Sequence, residues 1–390
     1  MQAVTNMLDE AVVLERAAAL AADFATRAAE HDRDASFPFE NFRALLDAGL
    51  LGLTVPVEYG GQGAGLTFTC RVVEQIARGD ASTALVFAMQ VIYHATFARG
   101  GRWPVQLRER VCREAVEEGA LINVMRVEPE LGTPARGGLP ATAATRTQRG
   151  WRLSGRKIYA TGSPILRYFL VWARTAPEDG EAPLVGYFLV PRDRPGVSIV
   201  ETWDHMGMRA TGSHDLVLEN VELPEDYALE LRPPTNWAPP DPALAGWNTL
   251  VLTALYHGIA CAARDWLVRY LHERVPTNLG APLATLPRFQ SAVGEMEALL
   301  YTGDRLIYGL TAEIDAGNVQ ASRKASLVKY VATTNAIRAV DIALGLIGNP
   351  GLSRTHPLER YHRDVLCSRI HTPQDDMITL NAGKAALEMA

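Results

Sequence analysis

The hydrophobic period of this chain changes twice, near Ala120 and again near Trp247, and no single-layer fold accommodates both changes. Before the first change, apolar residues recur every three or four positions, as on one face of a helix. Leu14, Ala17, Leu20, Ala21 and Phe24 make one such face. Phe39, Phe42, Leu45, Leu46, Leu50 and Leu51 make another, which should end near Gly49 to Gly52. Residues 67–99 supply two more apolar helices, hinged at Gly79-Asp80. Between the changes the pattern shortens. Leu121-Ile122-Asn123-Val124, Trp151-Arg152-Leu153-Ser154, Tyr168 to Ala173, Leu184 to Val190 and Val197 to Val200 are apolar or alternating runs separated by Gly, Pro and charged turns. That is the signature of a small antiparallel barrel or sandwich. Pro233-Pro234, Pro239-Pro240 and Pro242 then exclude regular helix and mark a second boundary. Beyond it, helical patterns run through Ala254, Ile259 and Trp266, then over 286–316 and 320–347. Such lengths with short links imply a helical bundle.

The expected architecture is therefore α+β: an N-terminal α-helical domain over 1–119, a central antiparallel β-barrel domain over 120–232 and a C-terminal four-helix bundle over 233–390. A chain of 390 residues is long enough for such a division. With 38 basic against 44 acidic residues it carries a net charge of -6, so no basic footprint marks a nucleic-acid partner. No apolar run reaches the ~18 residues of a membrane span, and Met1 to Glu15 shows no basic-then-apolar leader, so a cytoplasmic protein is expected. The four cysteines, Cys70, Cys112, Cys261 and Cys367, have no metal or redox spacing, and the nine histidines include no HExxH pattern, so no metal is expected. Gly60-Gly61-Gln62-Gly63-Ala64-Gly65 must be a loop, but it lacks the pattern of a phosphate cradle.

Three stretches in this frame carry a family likeness. Leu50-Leu51-Gly52-Leu53-Thr54-Val55-Pro56-Val57-Glu58-Tyr59-Gly60-Gly61-Gln62-Gly63 resembles the N-terminal signature of the acyl-CoA dehydrogenase superfamily. Trp203-Asp204-His205-Met206-Gly207-Met208-Arg209-Ala210-Thr211-Gly212-Ser213 with Val221-Glu222-Leu223-Pro224 resembles its end-of-barrel signature, and Pro357 to Asp364 its entry to the last helix. The resemblance spans nearly the whole chain. It implies a flavin between barrel and bundle, FAD in preference to FMN, in a homotetramer or dimer. It also implies a small-molecule or acyl-thioester substrate, with a flavin reductase or an electron-transfer flavoprotein as redox partner. Main-chain groups of the segment matching Val127 to Thr133, with Val127, Gly132 and Thr133, should meet the flavin; Glu130-Leu131 replaces the usual Gly-Ala there. Tyr159-Ala160-Thr161 is similar to the family's Trp-x-Thr, an aromatic face on the flavin ring and a hydroxyl toward N5. The partner's adenosine contacts correspond to Arg274 with Leu279-Gly280, and the Gln-x-Leu-Gly-Gly segment becomes Gly345 to Asn349, including Gly348. Gln374 completes the cofactor-binding set that the resemblance implies.

The catalytic position departs from the family. Its glutamate should stand two residues after Ile370, where this chain has Thr372. A general base must reach the substrate proton and be ionised near neutral pH, and a threonine hydroxyl is not. Relatives that place the glutamate on the first bundle helix offer no rescue, because Trp247-Asn248-Thr249-Leu250 holds no acid. Asp375 and Asp376 stand open to two readings, a relocated base or acids at a helix start. The same region also resembles the reduced-flavin monooxygenases such as dibenzothiophene monooxygenase. Arg369-Ile370-His371-Thr372-Pro373-Gln374-Asp375 is similar to their Arg-x-His-Thr-x-x-Asp, and Lys157-Ile158-Tyr159-Ala160-Thr161-Gly162 to their Lys-Phe-Tyr-Ser-Thr-Gly. In those enzymes a histidine pair and a hydroxyl stabilise the flavin hydroperoxide, a task suited to imidazole. His371 and His94 would be that pair; His257 is a further pocket candidate with core packing as its alternative. Three functions follow in order: an oxygen-using flavin oxidoreductase, an acyl-thioester dehydrogenase with a relocated base, and a flavoprotein that has lost catalysis.

Overall fold

The structure is a computed structural model, and it describes residues 9–100, 103–131, 138–177, 182–234 and 242–388. Six helices come first: α1 (Glu10–Ala25), α2 (Ala28–Asp34), α3 (Phe39–Asp47), α4 (Leu66–Gly79), α5 (Ala81–Gly100) and α6 (Val105–Glu117). Their ends follow local chemistry. Asp9 accepts the Val12 N–H at the start of α1, and Asp80 accepts the Thr83 N–H at the start of α5, so the hinge at Gly79-Asp80 is a cap. Gly61 can be nothing else, since a Cβ there would sit 2.2 Å from the Val55 carbonyl oxygen. The glycine-dense segment folds back on Val55 as a loop, with Gly63 donating to the Val55 carbonyl.

The sheet follows as β1 (Leu121–Met125), β2 (Ala143–Thr147), β3 (Gly150–Ala160), β4 (Leu166–Thr175), β5 (Val185–Pro191), β6 (Val197–Val200), β7 (His214–Pro224) and β8 (Ala228–Arg232). Its order is β6-β7-β3-β2-β4-β5-β8, with β1 off this path on β4. The expected closed antiparallel barrel does not form. Among the described residues no pairing joins β6 to β8, and β1–β4 and β2–β4 are parallel. The reason is edge competition. β1 occupies β4 from Leu166 to Val171, so β2 reaches β4 only at Ala143↔Arg174 and Ala144↔Thr175.

The last part comprises α7 (Pro242–Glu273), α8 (Pro287–Asp315), α9 (Ala325–Ile347), the single turn α10 (Asn349–Leu352), α11 (Leu358–Leu366) and α12 (Asp375–Ala386). Of the expected proline boundary, Pro239 and Pro240 lie outside the described residues, and Pro242 opens α7. The bundle has three long helices, α7, α8 and α9, with the nine-residue α11 packed on α7 and α9. α7 is apolar nearly all round because α4 and α5 cover one side and α8 and α9 the other. One helix, Gln320–Ile347, is long and apolar enough by length and composition to cross a membrane, which the reading of apolar runs missed. In the fold α9 packs against α7, α8 and α11, and it buries Lys329.

Candidate active site

The end of β3 is held by a buried ion pair. Lys157 Nζ lies 2.6 Å from Glu128 Oε1, and the two side chains are 0% and 1% exposed. The carboxylate also accepts the Ala141 and Thr142 N–H groups and the Thr142 hydroxyl. Burial draws the Lys157 ammonium down to about 8 even though Glu128 pulls the other way. One residue further, Ile158 N–H donates to the Val127 carbonyl, so the segment from Val127 lies against β3. Beyond Ile158 the strand breaks register and Tyr159 takes φ 60°, a strained value for a bulky residue. That turn leaves the Tyr159 ring half exposed, edge-on to Trp203 and His205, which stack on each other at 3.6 Å.

Thr161 ends a row of hydroxyls. Thr211 Oγ1 lies 2.7 Å from Ser213 Oγ, and Ser213 donates to Thr161 Oγ1 at 3.0 Å. Asn123 Nδ2 fixes the Thr161 carbonyl at 2.9 Å. The same turn is tied to the bundle through Met208. Its carbonyl accepts from Thr211 and from the Trp203 indole, and its N–H donates to Asp364 Oδ1 of α11 at 2.7 Å.

Asp364 is buried, and desolvation pushes its carboxyl up to about 7 against the opposing pull of Met208 N–H and Arg360. The folded chain therefore binds this proton more tightly than the unfolded chain, whose aspartate titrates near ~3.9. Stability from this group is full below that value and is lost as pH rises through about 7. Urea unfolding between those limits should show stability falling with pH at up to ~1.4 kcal/mol per unit. Asp364→Asn should flatten that slope, and an unchanged slope would remove Asp364 from the account.

Past α11 the chain reaches Thr372, where the resemblance leads one to expect a base. The Tyr256 hydroxyl of α7 is hydrogen-bonded to His371 Nδ1. Burial and the Lys329 ammonium lower His371 to about 4, so its imidazole is neutral at pH 7. Lys329, 1% exposed, donates to the Pro373 carbonyl at 2.7 Å and pairs with Asp375 Oδ1 at 3.2 Å. Asn248 Nδ2 donates to the Thr372 carbonyl at 3.3 Å. The first bundle helix thus meets this segment through Asn248, an amide, and Thr372 is exposed. Asp375 begins α12 and Gln374 precedes it, partly buried, without capping the helix through its side chain.

The remaining candidates are dispersed. His94 is buried on α5, its Nδ1 3.8 Å from Cys112 Sγ of α6; burial lowers it to about 3, and no described contact joins it to His371. Arg274 and Gly348 lie exposed at the ends of α7 and α9. Gly132 and Thr133 lie outside the described residues. His257 stands with Cys261 and Glu74 in a cluster of possible metal ligands. Glu74 there is already engaged by Arg78 at 2.9 Å and by the Tyr308 hydroxyl, as a structural network among α4, α7 and α8 would be. Sequence reasoning missed Tyr256, Lys329 and Asn123. A lysine within the apolar face of α9 was the available signal, because a buried lysine requires a partner.

An exposed aromatic face at a strained turn, a hydroxyl two residues beyond it and a neutral imidazole on the bundle side suit a flat heteroaromatic ring bearing polar edge atoms. The donor set fits a flavin. Family models for the acyl-CoA dehydrogenase N-terminal, middle and C-terminal domains match residues 9–103, 124–221 and 246–387. The chain belongs to the acyl-CoA dehydrogenase family. It is a flavin-dependent oxidoreductase, as the members of this family are. It is 37% identical to the putative acyl-CoA dehydrogenase YdbM of Bacillus subtilis (strain 168), covering 96% of each chain. It is 31% identical to the L-evernosamine nitrososynthase of Micromonospora sp., covering 92% of this chain and 86% of that one. Among solved structures, KijD3 in complex with FMN and a dTDP-linked amino keto sugar superposes with a TM-score of 0.86 at 29% identity, covering 99% of this chain and 95% of that one. The acyl-CoA dehydrogenase family thus includes relatives with differing reactions close to this chain.

Proposed function

We propose that this acyl-CoA dehydrogenase family member uses molecular oxygen, as an oxygenase rather than an α,β-dehydrogenase. One observation carries the reading: Asn248 donates to the Thr372 main-chain carbonyl, neither residue is an acid, and Asp375 close by is paired with Lys329. The bound flavin, when reduced, supplies two electrons and two protons; one oxygen atom of O2 goes to the substrate and the other leaves as water. The chain's own part is to seat the ring on Tyr159, hold it with the Thr161 hydroxyl and offer the His371 imidazole to oxygen. A relative named as a nitrososynthase and a relative bound to an amino sugar support this direction.

FAD is the flavin proposed, although KijD3 holds FMN. A homo-oligomer is proposed because Arg274 and Gly348 match contacts that relatives lend to a second subunit, and they have no described contact with Thr161 in their own chain. A cytoplasmic location and a reductase that delivers reduced flavin complete the proposal. Rapid mixing of the reduced protein with oxygen should give a transient absorbance distinct from reduced and oxidised flavin. Its absence, with and without substrate, would sink the oxygenase reading.

The similarity to YdbM keeps a second reading in view, an acyl-thioester dehydrogenase with Asp376 at the start of α12 as base and an electron-transfer flavoprotein as partner. Anaerobic bleaching of the bound flavin by an acyl-CoA would establish it. A flavoprotein without catalysis would show neither response.

A further inference from the structure

We infer that Tyr256 fixes His371 in the tautomer with its proton on Nε2, which makes the ring a neutral hydrogen-bond donor toward the flavin site and leaves it no free basic nitrogen; this rests on the oxygenase reading. Tyr256 is fully buried on α7, and its hydroxyl has one described partner, His371 Nδ1. A phenol carries one proton. Were Nδ1 protonated, it would donate to the Tyr256 oxygen, and the phenol proton would be buried with no acceptor among the described residues. An unmet buried donor disfavours that arrangement by roughly tenfold or more. Donation from Tyr256 to Nδ1 satisfies both groups, so the ring proton of the neutral imidazole sits on Nε2.

The surroundings hold this state. From α9, the Lys329 ammonium opposes a second positive charge on the ring. From α12, Asp375 is taken up by Lys329. Burial keeps the Tyr256 hydroxyl protonated, and Cys367, just past α11, and Asp364 of α11 act in the same direction. Nε2 has no partner among the described residues, and His371 is only partly buried as a residue, so its N–H is available to a ligand oxygen.

The consequence is a substrate class. A ring whose Nδ1 is occupied and whose Nε2 bears a proton can hold an oxygen atom but cannot remove a C–H proton. On the oxygenase reading the substrate is then one that needs no deprotonation at carbon by His371: an amine, a thioether or an electron-rich aromatic ring.

The test is 15N NMR of the flavin-loaded protein labelled at histidine, with His371→Asn identifying the His371 signals. The expected native spectrum shows an unprotonated Nδ1 and a protonated Nε2 for His371. In Tyr256→Phe the Nδ1-protonated population should rise severalfold. A native spectrum with protonated Nδ1 would overturn the inference, as would a Tyr256→Phe spectrum identical to the native one. The native spectrum decides the tautomer even if Tyr256→Phe does not fold. It also decides it independently of oxygen chemistry: the expected tautomer without any oxygen-dependent transient would overturn the oxygenase reading and leave the role of Tyr256 standing.

Discussion

Lys157→Met is expected to lower the stability of the chain by about 3–5 kcal/mol, the cost of leaving one member of a buried ion pair alone. Glu128 would keep the Ala141 and Thr142 donors, but it would lose the ammonium 2.6 Å away, in a place where its side chain is 1% exposed. Methionine restores much of the lysine's volume, so the loss comes mainly from charge rather than from a cavity. Lys157→Met/Glu128→Gln should therefore recover most of the loss, because the double variant buries no unpaired carboxylate. Urea denaturation at a common m-value measures both. A single variant costing less than ~1 kcal/mol would mean that water reaches the pair or that Glu128 takes up a proton cheaply. The flavin site should register the change as well. The pair joins the segment from Val127 to the strand that ends in Tyr159 and Thr161, so bound flavin should dissociate more readily from Lys157→Met.

His371→Ala is expected to reduce product formation by about 10²- to 10³-fold, the usual effect of removing one preorganised donor from a reacting oxygen. Consumption of reduced flavin should continue, with hydrogen peroxide released in place of product. The ratio of product to peroxide is the measurement, because a merely unstable variant would lower both together. An unchanged ratio would exclude His371 from the chemistry and return attention to Asp376. The side chain is well placed for such a role. Its neighbours keep it neutral, and the Tyr256 hydrogen bond fixes its Nδ1.

Much of the helical architecture was legible because helix formation has a local signature. The runs read over 286–316 and 320–347 lie on α8 and α9, and the stop near Gly49 to Gly52 is the end of α3, where Gly49 takes φ 73°. The strands were less legible. β2 carries few apolar residues to alternate, β8 is only five residues long, and β7 slips phase at Asn220, where φ is 53°, so Leu216 and Leu218 do not continue in step to Val221 and Leu223. A period-2 reading fails across such a bulge. Closure of the barrel depended on which edges meet, and no strand announces its neighbour.

The sequence by itself pointed to a three-part flavin scaffold, to a threonine where the resemblance leads one to expect a base, and to His371 and Thr161 as candidates. These rest on residue identity at recognisable spacings. Only the tertiary structure decided what those residues can do. Tyr256 meets His371 from 115 residues away, Asn248 meets Thr372 from 124, and Lys329 takes up Asp375 from 46. Proton placement and charge depend on neighbours within a few ångströms, and at such separations along the chain it is folding that chooses the neighbours.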